Sequence, residues 1–238
     1  MLFVHEVHRV EGRRAGVFEA RYREGWLPAV AERGDARLLW YLHQTHGTGP
    51  AYTVVTITAV ATPDALAGLH ARRRDGDLRT WTDEVDGLVH DTVAKVLEPV
   101  PWSPLSEVDL ASVPTAAVER GPDLPLFMED TAWPHPGRLE DYLDRAGSLY
   151  VQTLERAAAA GRDLLELVAA FRPVYGAGRR REVVLWQRVS RPELLLPLLA
   201  REVPAEFQAP GTWMHDALEL RDRWESRLLR VAPWSPLG

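Results

Sequence analysis

Glu6 and His8 stand two residues apart in a β-rich run over 2–10, Tyr41 and His43 two apart in 37–45, and Thr56 and Thr58 two apart in 52–60. Side chains of a strand alternate between its faces, so the members of each pair share a face. A carboxylate beside an imidazole is an acid/base couple, and a phenol with a second imidazole can orient the oxygens of a substrate. Such a set moves protons, which covers cyclisation, isomerisation and elimination, and it calls for no nucleotide, metal or other cofactor. Glu6, His8, Tyr41 and His43 are therefore the candidate catalytic residues, with Thr56 and Thr58 as substrate contacts. In a competing reading Glu6 and His8 only bond to strand neighbours and helix ends.

Other chemistries lack their residues. No Gly-rich phosphate loop, nucleophile elbow or dinucleotide fingerprint is present. There is no cysteine, which removes disulfides, thiolate nucleophiles and thiolate metal sites together. His5, His8, His43 and His46 do not assemble a metal site, because alternation parts His5 from His8 and His46 falls in a turn. His215, just after the helix-capping Thr212, is a candidate axial ligand for haem, although a capping-turn histidine on a solvent face is the commoner explanation. Arg72, Arg73 and Arg74 precede Asp75 and Asp77 and read as a solvated helix end.

The 238 residues carry a net charge of -6, with 46% hydrophobic and 26% charged residues, an ordinary globular composition. Without a basic run, a nucleic-acid partner is not expected. Lys95 is the sole lysine among 28 Lys and Arg. The N-terminus turns charged within six residues and no apolar run reaches membrane-spanning length, so the expected setting is cytoplasmic, with no membrane partner. The expected partners are a small-molecule substrate and, in a homodimer, a second copy of the chain.

Pro101-Trp102-Ser103-Pro104-Leu105 returns as Pro233-Trp234-Ser235-Pro236-Leu237, and Thr80-Trp81 returns at the same interval as Thr212-Trp213. A constant offset over such a stretch marks an internal duplication. In the first half, a strand over 2–10 leads to a helix over 13–33 with Phe18, Tyr22, Trp26 and Ala29 on one stripe. A hairpin over 37–60, a helix from Thr62, a capped helix from Thr80 to about Val93 and a strand over 95–102 follow. The second half repeats the order: a strand over 126–133, a helix over 137–160, a hairpin of 163–173 and 181–189 turning at Tyr175-Gly176-Ala177-Gly178, helices opening at Ser190 and Thr212, and a strand over 227–234. Residues 106–125 read as a surface linker between domains 1–105 and 126–238.

The order β-α-β-β-α-β is that of a ferredoxin-like unit, whose antiparallel sheet carries helices on one face only. An α+β fold of two tandem units is expected, their sheets packed face to face as a pseudo-dimeric α+β barrel around a hollow. The opening run from Leu2 to Gly12 resembles that of NIPSNAP-family proteins, and Pro101 to Leu105 resembles the end of that family's domain. The resemblance implies membership of the dimeric α+β barrel superfamily, which includes cofactor-free monooxygenases, cyclases, isomerases, lyases, haem enzymes and proteins with no known reaction.

Sorting by face puts Leu38, Trp40, Leu42, Val55 and Ile57 under the helices. Glu6, His8, Tyr41, His43, Thr56 and Thr58 then face the hollow, because charge under helices is costly. The second half places Asp130, Glu166, Arg172, Trp186 and Arg188 there, of which Asp130, Trp186 and Arg188 are candidate substrate contacts. His8 and His43 correspond to Ala132 and Ala170, so the first half is the expected site. The leading expectation is a small enzyme acting on an apolar, aromatic or polyketide-like metabolite of bacterial secondary metabolism. A non-catalytic ligand-binding or assembly protein is the second expectation and a haem enzyme the third.

Overall fold

The computed structural model describes residues 1–176, 178 and 180–238; Ala177, expected in the second hairpin turn, lies outside the described residues. The first half runs β1 (Leu2–Val10), α1 (Ala15–Ala20), a π-helical turn (Arg21–Trp26), α2 (Leu27–Ala31), β2 (Ala36–Gln44), β3 (Thr53–Val60), α3 (Pro63–Asp75), α4 (Arg79–Asp86) and β4 (Val89–Pro99). The second runs β5 (Leu126–Pro134), α5 (Leu139–Arg145), a π-helical turn (Ala146–Tyr150), α6 (Val151–Ala159), β6 (Leu165–Tyr175), β7 (Val183–Val189), α7 (Leu195–Ala200), α8 (Trp213–Asp216) and β8 (Arg221–Val231). The i, i+4, i+8 spacing of Phe18, Tyr22 and Trp26 buries all three rings, and the π turn carries the last two on one face. Thr62 and Thr212 cap their helices through Ala65 N and His215 N.

All eight strands close into one antiparallel barrel, in the order β1-β3-β2-β8-β5-β7-β6-β4. Each half contributes the same internal order, β4-β1-β3-β2 and β8-β5-β7-β6. The halves meet edge to edge at two short seams, Leu42–Gln44 with Leu229–Val231 and Val96–Pro99 with Phe171–Tyr175. No sheet edge at these seams is left to solvent, which is what closure accomplishes for antiparallel strands. Helices cover the outside of each half, and Phe3, Trp40, Phe127, Phe171 and Trp186 fill the middle.

Three expectations change. The strand expected from Lys95 starts at Val89, because Gly87 and Leu88 close α4 and Val89 to Leu97 pair with β1; β8 likewise begins at Arg221 rather than Arg227. Residues 106–125 do not merely drape: Val113 is buried in the barrel core, and Val108 and Leu110 pack against it. The face assignment is inverted for most of the first half, while Leu38 stays under the helices and Trp186 faces the barrel interior as expected. Phe3, Val7, Val55, Ile57, Trp40 and Leu42 point into the barrel, whereas Tyr41, Val54 and Val60 lie under the helices with Glu6, His8, Thr56 and Thr58. A one-residue shift at Leu39 accounts for β2, where Leu39 and Trp40 both turn inward. The barrel needs the larger apolar set inside, so polar groups went beneath the helices, where partners meet them.

The repeated Pro-Trp-Ser-Pro-Leu motif now has a physical reason. β6 carries the same irregularity at Val168. Ser235 Oγ accepts from Tyr41 N at 3.1 Å and Leu237 N donates to Leu39 O at 2.9 Å. In the other half, Ser103 Oγ accepts from Ala170 N at 2.9 Å and Leu105 N donates to Val168 O at 3.1 Å. Each serine also donates to its own leucine's carbonyl. Each copy of the motif therefore clasps the bulged strand of the opposite half, and Trp234 packs on Tyr41 at 4.8 Å between centroids. Ser103→Ala and Ser235→Ala should each lower stability by about 1–3 kcal/mol, because a buried backbone N–H loses its acceptor. Urea unfolding would measure this, and unchanged midpoints would show that the clasp contributes nothing.

Candidate functional site

Glu6, His8, Tyr41 and His43 do share one face, but it is the helix-covered face of the first half. Glu6 accepts from Arg73 Nη1 of α3 at 3.0 Å. His8 meets the Tyr22 hydroxyl at 3.0 Å and Thr92 Oγ1 at 3.0 Å, with Thr56 Oγ1 at 3.4 Å. Thr58 Oγ1 accepts from Trp26 Nε1. Tyr41 rests against Tyr22 and His43, and His43 Nε2 lies 3.3 Å from Glu19 Oε2. These are the strand and helix partners of the competing reading. Above Glu6, the Arg73 guanidinium sits over Trp26 and Trp81, whose rings stack at 4.7 Å.

Burial alone would raise the Glu6 pKa; Arg73, with help from His8, more than offsets this and holds it below the usual value. Burial also presses His8 from 6.5 down to about 4, against the pull of Glu6. At neutral pH this is an ionised Glu–Arg pair beside a neutral imidazole; the buried Tyr41 hydroxyl has no hydrogen-bond partner among the described residues.

The second half is different. Between its sheet and helices lies a cavity of about 560 Å³ with Asp130 in its wall. Asp130 occupies the β5 position matching Glu6 on β1, and among the described residues no arginine forms an ion pair with it. Its oxygens accept from Gln187 Nε2 at 2.9 Å and from the Ser226 hydroxyl, while Gln187 Oε1 accepts from the Tyr150 hydroxyl. Burial outweighs these bonds and raises the Asp130 pKa. Trp213, Met214 and Leu218 line the cavity from α8 and the turn that follows, Trp224 lines it from β8, the strand paired with β5, and Tyr142 and Arg221 lie near the carboxyl. Arg221 is buried against Trp224 at 4.9 Å, and its Nε has no protein partner among the described residues. A carboxyl tuned upward and a buried guanidinium in one largely apolar cavity can move a proton and hold the resulting negative oxygen.

The other expected contacts are scattered. Trp186 belongs to the barrel core beside Trp40 and Phe127, Arg188 is exposed at the end of β7, and Arg172 pairs with Glu98 at 2.7 Å. His215 lines the same cavity as Asp130, with its Nδ1 3.2 Å from Asp216 Oδ1. Among the described residues no group of three His, Cys, Asp or Glu is placed to hold a metal ion, and no helix is long and apolar enough to cross a membrane. Arg221, Tyr142, Tyr150 and Gln187 escaped the sequence reading. Only the recurrence of an acid at Asp130 pointed to them.

Inside the barrel a second polar group lies near one end. His5 Nε2 is 3.1 Å from Glu129 Oε2, and Arg227 Nη1 donates to Glu129 Oε1 at 3.1 Å. Burial opposes the ionised form of Glu129, but His5 and Arg227 bring its pKa down to about 2.

Among solved structures, an anthrone oxidase-like protein matches 97% of this chain and 91% of its own, with 10% identity and a TM-score of 0.61. A putative monooxygenase from Lactobacillus acidophilus NCFM matches 99% and 97%, with 10% identity and a TM-score of 0.57. An uncharacterized NIPSNAP domain protein from Burkholderia xenovorans matches 42% of this chain and 96% of its own, with 20% identity and a TM-score of 0.36. No family model matches the chain, and no curated protein matches it. At such identities the two full-length likenesses speak to fold alone, a mixed α/β chain around a closed eight-stranded antiparallel barrel.

The first-half network has a pH signature. The folded pKa of His8, about 4, lies below its ordinary 6.5, so between these values the unfolded chain binds a proton that the fold excludes. The contribution is complete above pH 6.5 and is lost as pH falls toward 4, roughly 3 kcal/mol in all. His8→Gln removes this titration, and its urea midpoints should vary less than wild type across that interval. Equal slopes would show that His8 is not held neutral.

Proposed function

We propose that this chain is a small enzyme that moves a proton on a flat, largely apolar substrate in the second-half cavity. In this reading the two halves descend from one duplicated ferredoxin-like unit, and one of them kept an open pocket. The single observation that carries it is Asp130, a carboxyl of raised pKa facing a cavity that also holds a buried arginine.

Asp130 takes a proton from the substrate, with Gln187 and Ser226 fixing the carboxylate's direction. Arg221 meets the oxygen on which charge collects, and the burial of its own guanidinium and of the Trp213 ring beside it strengthens that interaction. Returning the proton to another atom completes an isomerisation, and loss of a leaving group completes an elimination. An aromatic or polyketide-like ketone fits this cavity, and the anthrone named for one structural neighbour is a suitable probe.

Anthrone carries acidic methylene hydrogens beside a ring system that stabilises the enolate. The protein should accelerate deuterium uptake at that carbon, followed by NMR, and Asp130→Asn should lower the rate by about 10²-fold or more. Arg221→Met should lower it too while leaving the fold intact. Binding seen by tryptophan fluorescence, without exchange, would favour the ligand-binding alternative. Glu6→Gln and His8→Ala separate the two halves: they should cost stability and spare the exchange, and the reverse result would move the site to Glu6, His8, Tyr41 and His43, with Thr56 and Thr58 as its substrate contacts.

A haem enzyme is a second reading, favoured by His215 in the same cavity with a carboxylate behind its imidazole, the arrangement that fixes a ligating histidine. His215 would hold the iron, which would supply electron-transfer chemistry; Arg221 is the nearby cation for a propionate. Haemin titration decides it: a Soret shift lost in His215→Ala supports haem, and no shift in wild type removes it.

A further inference from the structure

The sole lysine of a chain that otherwise uses only arginine lies at the open end of the barrel. Lys95 lines a cavity of about 850 Å³ together with Val93, Trp133, Glu182 and Arg223. Its side chain is 14% exposed and its Nζ is 2.6 Å from Glu182 Oε1, itself buried. Arginine would serve equally well for this ion pair, as Arg227 does at the matching position of β8 beside Glu129. What arginine cannot supply is a primary amine. Behind Lys95, His5 is its cross-strand partner on the same face of the sheet. His5 is fully buried, its Nε2 is held by Glu129, and its Nδ1 has no partner among the described residues. A nucleophile, an adjoining base and a carboxylate orienting that base form the constellation that activates a weak nucleophile.

We propose that Lys95 captures an aldehyde or ketone as a protonated Schiff base at the barrel mouth, a second site separate from the Asp130 cavity. The Lys95 ammonium lends one proton to His5 Nδ1 or to the Glu182 carboxylate, and its nitrogen attacks the carbonyl carbon. A C–N bond forms while the C=O π pair moves to oxygen and takes the lent proton. Glu182 then passes a second proton from nitrogen to that hydroxyl. Water leaves, and the nitrogen lone pair forms the C=N bond. Ammonium and carbonyl become iminium and water, with no net change of charge and no oxidant required. Glu182 is the counter-ion before and after; Trp133, with the Arg223 guanidinium over its ring at 4.4 Å, forms part of the cavity wall.

A single lysine makes the test direct. The intact protein, benzaldehyde and sodium cyanoborohydride should yield one added benzyl group, mapped by peptide mass spectrometry to Lys95. Labelling should exceed that of Nα-acetyl-lysine amide under the same conditions by about 10²-fold or more, the lower range expected of a positioned base. Lys95→Arg keeps a cation against Glu182 and should abolish that label while the thermal midpoint stays near wild type. His5→Gln keeps a donor to Glu129 and should slow labelling without preventing it. Label at the Met1 α-amine alone, or at Lys95 no faster than the free amine, overturns the proposal. So does unchanged labelling in a folded His5→Gln variant, because His5 then plays no part.

Discussion

A β-bulge that cannot satisfy itself underlies the rest of this structure. At Leu39 and at Val168 an extra residue breaks the ladder and leaves a carbonyl and a nearby N–H without strand partners. Both are answered from the opposite half, by a serine and a leucine two residues apart in the repeated motif. An unsatisfied buried backbone group costs about 1–3 kcal/mol, so neither half can complete its second strand alone. The same bulge sends Trp40 and Leu42 inward and Tyr41 outward. It thereby decides which side chains build the barrel and which build the layer under the helices.

Closure follows from that exchange. The seams between halves are short, so hydrogen bonding across them is modest. The apolar barrel core, completed at one end by Val108, Leu110 and Val113 of the connecting segment, supplies the larger share of the association. The connection is therefore part of the core as well as a tether. Within the barrel, corresponding positions of the two halves carry complementary groups: His5 on β1 faces Glu129 on β5. The contact of His5 with Glu129 joins the two halves.

The halves also use the layer beneath their helices differently. In the first, an arginine reaches down from α3 to Glu6 and two stacked tryptophans close the space over it. In the second, α7 and α8 are short, no arginine among the described residues reaches Asp130 in that way, and the carboxyl is left with neutral donors in a cavity. A carboxyl with a guanidinium partner stays ionised and inert, whereas one held by an amide and a hydroxyl in a desolvated wall is poised to exchange a proton. The chemical asymmetry of the chain thus rests on what packs above the same strand position.

The duplicated motif, the alternation of apolar residues and the capping threonines determined the number and order of elements and which residues share a strand face. Glu6, His8, Tyr41, Thr56 and Thr58 could be grouped correctly on period alone, because a two-residue repeat is a local property. Which way that face points was decided only by tertiary structure. Alternation cannot distinguish the inside of a barrel from the underside of a helix when both are dry, and a single-residue bulge reverses the sense of everything after it. The same limit hid Arg221 and Lys95. Their meaning depends on Asp130, Glu182 and His5, which are distant in sequence and meet them only once the barrel has closed.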